Sequence, residues 1–321
     1  MKGLSIIIPC YKRKKELKDC LKSLLQSRGM GKDFNYEILV IENSPKKELE
    51  KTTSQFKSPK IRYFWLKERG ISKAKNFGVK KSKYKILVFC DSDIEVKKDT
   101  LFETFFTFKK NSYAAMVSGR IFWKGTKKLD RPSETDRFFK YKNYIFAECF
   151  YGRYIACLKN AFLKVKGFDE KLFNFRGEGV DLSTKFWRAG FPLVFNSKII
   201  VYHKKESPLS VSRKLKNRNF LMMKSFILHA LKYDANLLLS PYRAKSLNKW
   251  GRKIFGEKLP YAIVDTIINS IDWFFKNKKN VLRAKKEIPK VFDFKPEDVF
   301  SNKRLLLKCL RGAPKRIKKI F

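Results

Sequence analysis

Short apolar runs alternate with helical patterns along the N-terminal part of the chain. Four runs predict buried strands, at residues 4–9, 36–41, 61–66 and 85–90. After the first run, leucines recur at helical spacing (Leu17, Leu21, Leu24 and Leu25), and another helical pattern follows Gly70. Strands that alternate with amphipathic helices favour an α/β fold built on a parallel, doubly wound sheet.

Polar residues follow several of these strands directly. In such sheets ligands bind beyond the carboxyl ends of the strands, where Pro9, Tyr11, Glu42, Asp91 and Asp93 are all expected. The two neighbouring aspartates repel each other unless a cation lies between them. Carboxylate oxygens favour Mg²⁺ or Mn²⁺, which often also bind substrate phosphates. The alternative is a turn whose acids are simply solvated.

Six short motifs occur in order along the chain. They lie at residues 5–13, 37–44, 69–78, 91–93, 167–170 and 177–182. With these motifs, residues 3–205 resemble the family 2 glycosyltransferases with the GT-A fold. The resemblance implies a Rossmann-like mixed sheet flanked by helices, a nucleotide-diphosphate sugar donor, a divalent metal, and sugar transfer to an acceptor hydroxyl with inversion.

The resemblance also implies roles on the donor side. Asp93 would anchor the metal, with Asp91 near the metal or the ribose. His203, at the end of a strand-like run, would contact the metal or the diphosphate, unless it is a strand-end histidine that faces solvent. Pro9 and Tyr11 would form one wall of the base pocket, unless Tyr11 only packs within its loop.

Three further positions are expected to bind the donor. Glu42 would accept a hydrogen bond from the base, where the family more often has Asp. Lys75 and Asn76 match an Arg-Asn pair of many relatives and would contact phosphate or sugar. For Lys75 the alternative is a solvated position on a helix.

The catalytic base is expected near residues 174–182, where a glycine-rich loop leads into a helix. Relatives usually have adjacent Glu and Asp here, with the Asp as base, but Gly179 occupies the Asp position. We expect Glu178 to act instead, because glycine beside it lets the backbone re-aim the longer side chain. Asp181 is the second candidate. Both could also be ordinary acids at a helix start, and loss of activity is the third alternative.

The C-terminal part of the chain is strongly basic. The whole chain has a formal charge of +44, and residues from Lys204 onward contain 30 basic and 9 acidic side chains. Apolar helical patterns at 219–231 and 261–275 are too short to cross a bilayer. We therefore expect a catalytic domain over 1–205 and a basic helical appendage over 206–321 that lies on an anionic membrane. The alternative is an appendage packed on the catalytic domain, with a solvated basic rim.

Other features bear on location and partners. The six cysteines are scattered, as in proteins of a reducing cytosol, and no signal peptide is recognised at the N-terminus. We expect a cytoplasmic protein, peripheral at the inner face of the cell membrane, that acts on a glycan or lipid-linked acceptor in cell-envelope polysaccharide synthesis. The oligomeric state stays open.

The sequence has three alternative functional interpretations. A nucleic-acid-binding protein is disfavoured because the aromatic residues of the tail lie in apolar helical patterns. A nucleotidyltransferase is disfavoured because residues 9–13 lack the glycine of a phosphate loop. A non-catalytic relative that only binds nucleotide sugar remains open.

Overall fold

A computed structural model describes residues 3–129, 138–204 and 303–320, together with seven single positions between 225 and 283. The chain divides into two compact units. The first comprises Met1–Phe168, Glu178–Lys205 and Pro289–Phe321, and the second comprises Asp169–Gly177 and Glu206–Ile288. In the second unit the buried Lys232 ammonium donates to Asp169 Oδ2 at 2.9 Å. The predicted helices at 219–231 and 261–275 lie outside the continuous described ranges.

Four parallel strands form one half of the sheet in the first unit, in the order β3-β2-β1-β4. They are β1 (Gly3–Cys10), β2 (Asn35–Glu42), β3 (Ile61–Trp65) and β4 (Ile86–Cys90). The connecting helices are α1 (Lys14–Leu25), α2 (Glu50–Ser54) and α3 (Ile71–Lys81). Strands β1 and β4 are buried along their whole length, which explains their continuous apolar sequences.

The other half of the sheet is mixed. Its strands are β5 (Ile94–Val96), β6 (Met116–Trp123), β7 (Phe138–Tyr141), β8 (Tyr144–Ala147), β9 (Tyr154–Leu158) and β10 (Leu193–His203). The sheet continues from β4 in the order β9-β6-β10-β8-β7, and β5 pairs with β10. Helices α4 (Thr100–Lys110), α5 (Lys159–Lys164) and α6 (Glu178–Arg188) accompany these strands. The predicted mixed α/β class is confirmed, and the purely parallel arrangement holds only for the first four strands.

The register of the parallel strands brings their carboxyl ends together. Cys10 at the end of β1 is paired with Glu42 at the end of β2. On the other side of β1, Ile7 is paired with Phe89 in β4, two residues before Asp91. Strand β10 ends at His203, which is paired with Ile94 directly after Asp93. Residues far apart in sequence therefore meet at one edge of the sheet.

A C-terminal helix, α7 (Lys303–Lys318), belongs to the same unit as the sheet. Its buried residues join the main hydrophobic core; they are Leu306, Cys309, Leu310, Ala313 and Ile317. Arg316 Nε donates to the carbonyl of Gly190, just beyond α6, at 2.9 Å. No helix in the described part of the chain is both long and apolar enough to cross a membrane. The predicted domain boundary at residue 205 stays a prediction. Helix α7 comes after that boundary in the sequence but packs in the core of the unit that contains the sheet.

Candidate active site

The acidic motif lies in a tight turn between two strands. The amide of Asp91 donates to the backbone carbonyl of Arg153 at 2.9 Å, and the amide of Ile94 donates to the Asp91 carbonyl at 3.1 Å. The two carboxylates belong to different ionic clusters. We call these the Asp93 cluster (Asp93, Arg13, His203) and the Lys75 cluster (Lys75, Asp91, Glu178).

In the Asp93 cluster, two cationic or potentially cationic groups approach the same carboxylate oxygen. The Arg13 guanidinium forms an ion pair with Asp93 Oδ2, and His203 Nε2 lies 3.4 Å from it. Burial alone would raise the pKa of Asp93, but the hydrogen bond from His203 and the charge of Arg13 lower it to about 2. The His203 ring stacks on Trp123 with centroids 4.9 Å apart, which fixes the imidazole. His203 is buried, so the alternative of a solvent-facing histidine is wrong.

In the Lys75 cluster, a fully buried ammonium holds together three segments of the chain. Lys75 Nζ lies 2.9 Å from the Gly152 carbonyl, 3.1 Å from Glu178 Oε1 and 3.4 Å from Asp91 Oδ1. The first two contacts are hydrogen bonds, and the third is an ion pair that holds the Asp91 carboxylate by charge. The solvated helix position considered for Lys75 is therefore wrong. A donor contact of Lys75 stays a prediction.

The charges in this cluster depend on one another. Burial would lower the pKa of Lys75, but the carboxylates of Asp91 and Glu178 outweigh burial and raise it above its usual value. Burial also raises the pKa of Asp91, and nearby Asp93 and Glu178 add to this effect while Lys75 opposes it. Lys75 therefore keeps its charge and stabilises the ionised form of Asp91.

The two candidate bases occupy different environments on α6. Glu178 begins the helix and shares Lys75 with Asp91. Asp181 is completely buried, with Oδ2 3.3 Å from Lys185 Nζ, and Lys185 in turn donates to the Gly167 carbonyl at 2.8 Å. Glu178 therefore lies close to the acidic motif, whereas Asp181 is buried and paired with a lysine of its own helix.

Close backbone packing explains why position 179 is glycine. A Cβ atom there would lie 2.2 Å from the Gly152 amide nitrogen and 2.8 Å from the Phe150 carbonyl oxygen. A Cβ atom on Gly152 would similarly meet Glu178 Oε1 at 2.2 Å. Gly179 is not among the glycines with positive φ, so the reason the structure gives for this glycine is close packing, and the re-aiming of Glu178 stays a prediction. The segment 150–152 lies against the position where relatives usually have the Asp side chain.

Glu42 is engaged within the protein. Its buried carboxylate accepts hydrogen bonds from the amides of Glu48 and Leu49, both at 3.0 Å, and from the Tyr63 hydroxyl. Burial and the negative charge of Glu42 raise the pKa of Tyr63, so the phenol stays protonated and donates. Glu42 thus shapes the loop between β2 and α2, and base recognition by Glu42 stays a prediction.

The remaining predicted donor residues surround the same sheet edge. Pro9 lies in β1 opposite Ile41. The Tyr11 ring follows the strand, with the Arg69 guanidinium carbon 4.8 Å from its centroid. Asn76 holds the backbone of Phe168 in both directions, donating to its carbonyl at 2.9 Å and accepting from its amide at 3.1 Å. Asn76 therefore has a packing role, and its donor contact stays a prediction.

Sequence reasoning missed four contributors to this site: Arg13, Tyr63, Arg69 and Gly152. Arg13 had a usable signal, because it follows the β1 strand end at which ligands were expected. The other three act through contacts that the sequence order does not show.

The donor set of the Asp93 cluster fits Mg²⁺ or Mn²⁺. Asp93 offers a carboxylate, which suits both metals, and His203 offers an imidazole nitrogen, a common ligand of transition metals such as Mn²⁺. Within the described residues no group of three or more acids, histidines or cysteines could enclose a metal. A metal here would therefore take its other ligands from substrate phosphates and water, as Mg²⁺ often does.

Solved structures share this fold. The crystal structure of GalNAc-T7 with UDP, GalNAc and Mn²⁺ aligns with a TM-score of 0.54 and 16% identity, over 86% of this chain and 58% of that chain. The crystal structure of S. aureus TarS 1-349 aligns with a TM-score of 0.56 and 14% identity, over 99% of this chain and 92% of that one. These similarities establish the GT-A fold, and function has to be argued from the site.

Sequence relatives cover a shorter stretch. An uncharacterized glycosyltransferase of Rickettsia felis is 33% identical over 118 residues, which are 34% of this chain and 19% of the relative. The chondroitin synthase of Escherichia coli is 30% identical over 95 residues, or 29% of this chain and 13% of that protein. The matches thus span at most 19% of the length of these relatives. The family described as Glycosyl transferase family 2 matches residues 5–171, more than half of the sequence. As the motifs predicted, the chain belongs to this family.

Proposed function

We propose that the protein is an inverting, metal-dependent glycosyltransferase that moves a sugar from a nucleotide-diphosphate donor to a hydroxyl of a glycan or lipid-linked acceptor. The observation that carries this proposal is the Lys75 cluster. Lys75 joins Asp91, at the end of β4, to Glu178, the first residue of α6. A donor-side carboxylate and a candidate base are thereby held at a fixed separation.

On the donor side, the proposal assigns the metal to Asp93 and His203. When bound, Mg²⁺ or Mn²⁺ would neutralise the charge of the departing diphosphate. Pro9, Tyr11, Glu42 and Asn76 would shape the donor pocket, with Asp91 beside the ribose or the metal. Arg69 adds a cation over the Tyr11 ring, next to where a negatively charged donor would lie.

On the acceptor side, Glu178 would act as general base. Its Oε1 accepts from Lys75 at 3.1 Å, so Oε2 would take the proton of the acceptor hydroxyl as that oxygen attacks the sugar. A new carbon–oxygen bond forms while the sugar–phosphate bond breaks, and its electron pair leaves with the nucleoside diphosphate. Attack opposite the leaving group inverts the anomeric carbon.

The acceptor is proposed to belong to cell-envelope polysaccharide synthesis at the cytoplasmic face of the cell membrane. The charge of +44 supports an anionic partner or surface. The GalNAc-T7 structure was solved with UDP, GalNAc and Mn²⁺, and one relative is a chondroitin synthase. UDP-hexosamines with Mn²⁺ are therefore the first donors to test.

Thermal-shift measurements with UDP-, GDP- and dTDP-sugars, each with and without Mn²⁺, test donor binding. A true donor should raise the melting temperature increasingly with concentration, and only with Mn²⁺ present. Asp93→Ala should abolish the shift, whereas Asp33→Ala, at an exposed position, should retain it. No shift with any donor would contradict the proposal. A shift without release of nucleoside diphosphate in the presence of glycan or lipid-linked acceptors would indicate the non-catalytic alternative.

A further inference from the structure

Helix α7 has two chemically opposite faces. Leu306, Cys309, Leu310, Ala313 and Ile317 are buried in the core of the first unit. Residues three and four apart lie on the same side of a helix, so these five form one stripe. The apolar side of α7 is consequently used for folding, unlike the membrane-inserted apolar faces expected for the tail.

Basic side chains occupy the opposite side. We define the basic stripe as Arg304, Lys308, Arg311, Lys315 and Lys318. These residues follow one another at spacings of four, three, four and three, and all are exposed. At a rise of about 1.5 Å per residue the stripe is about 21 Å long. Residues 303–320 contain no acidic side chain to offset it.

The chemistry of the basic stripe indicates an anionic surface as its partner. A row of exposed lysines and arginines on a helix complements the charged headgroups of an anionic leaflet. Binding to single-stranded nucleic acid would require aromatic side chains among the cations, on which bases could stack. The sequence of α7 contains no aromatic residue. Charge complementarity therefore favours lipid headgroups over nucleic acid.

We propose that the basic stripe binds the anionic headgroups of a membrane by charge, without insertion of apolar residues from α7. Each lysine or arginine near such a surface strengthens binding roughly fivefold. The contact is exposed, so salt at a concentration well above about 0.15 M should weaken it strongly. This inference does not rest on the proposed transfer activity, because membrane binding is measured without donor or acceptor.

Vesicle co-sedimentation with the full chain tests the inference. Vesicles of phosphatidylcholine with about one third phosphatidylglycerol should bind the protein, and pure phosphatidylcholine vesicles should not. The combined variant Lys308→Gln, Arg311→Gln and Lys315→Gln should bind about a hundredfold more weakly. Arg316 is left unchanged because it donates to Gly190.

A matched control removes the same charge elsewhere in the unit. Lys51→Gln, Lys60→Gln and Lys83→Gln replace three exposed lysines outside α7, and this variant should lose less than about twofold in binding. Equal losses in both variants would overturn the inference, as would binding to neutral vesicles. If the stripe variant loses retention on DNA but keeps vesicle binding, the stripe belongs to a nucleic-acid site. Should that variant fail to fold, vesicle binding by the wild type that is insensitive to salt would overturn the inference equally well.

Discussion

The Asp93 cluster and the Lys75 cluster start from two aspartates that are two residues apart in the turn, yet their cations differ in exposure. Arg13 exposes 37% of its side chain, whereas Lys75 exposes none. A partly exposed guanidinium can leave its partner at a lower cost than a buried ammonium, which cannot leave two carboxylates without a large penalty. We infer that the Asp93 cluster can exchange its cation for a metal and that the Lys75 cluster is a permanent part of the site.

Glu178→Gln should have the largest effect on turnover. The amide keeps the size of the side chain but cannot take a proton, so release of nucleoside diphosphate should fall about 10³-fold. The donor-induced thermal shift should be retained, because Glu178 is assigned to the acceptor side. Asp181→Asn is the comparison. It removes the buried negative charge that pairs with Lys185, so it should lower the free energy of unfolding and have a smaller effect on turnover. Transfer that survives in Glu178→Gln moves the role of base to Asp181.

Lys75→Met should have the next largest effect. It leaves the carboxylates of Asp91 and Glu178 near each other without their cation, which should lower the free energy of unfolding by about 3 kcal/mol. Urea denaturation measures this change. Lys73→Met on the same helix removes a lysine paired with exposed Glu68 and should cost less than about 1 kcal/mol. Similar losses in the two variants would show that Lys75 is not the centre of a buried cluster.

The depressed pKa of Asp93 predicts a pH-dependent contribution to stability. Because its pKa is about 2 in the folded protein against 3.8 ordinarily, the ionised carboxylate stabilises the fold above about pH 4. This contribution, about 2 kcal/mol, is lost as the pH falls from 4 towards 2. In metal-free buffer, wild type and Asp93→Asn should therefore differ in unfolding free energy at pH 7 and converge in acid. A difference that is constant with pH would contradict the assigned interactions.

Arg13→Gln should have the smallest effect on stability. The ion pair with Asp93 is partly exposed, so its loss should cost less than about 1 kcal/mol. Because Arg13 and a metal would compete for Asp93, the variant should bind Mn²⁺ several-fold more tightly in calorimetric titration. Weaker Mn²⁺ binding would show that Arg13 supports the metal site, which would end the contrast between an exchangeable and a permanent cluster.

The parallel half of the fold could be predicted from sequence because β1, β4 and most of β2 are buried and therefore have continuous apolar sequences. Strands β7 and β8 have short, partly exposed sequences, and no such run marks them. The strand-like pattern that ends at His203 was recognised, since β10 is eleven residues long. Its pairing with β6 and β5 depends on segments that are distant in sequence.

The candidate site shows the same division. The sequence shows where the apolar strands end. From these ends one could predict that Tyr11, Glu42 and Asp91 lie at the same edge of the sheet. The burial of Lys75 could not be predicted in this way, because its partner Glu178 lies 103 residues away and one lysine among many carries no signal of its own. The reason for Gly179 was also hidden, since the clash of a side chain there is with the backbone at 150–152.

The packing of α7 matters for anyone who prepares this protein for experiments. The family match covers residues 5–171, yet Leu306, Leu310 and Ile317 belong to the same hydrophobic core. A fragment that lacks α7 would expose to water the apolar core residues against which this helix packs. Such an exposed apolar patch favours aggregation. Recombinant material should therefore retain the C-terminal helix even when only sugar transfer is to be assayed.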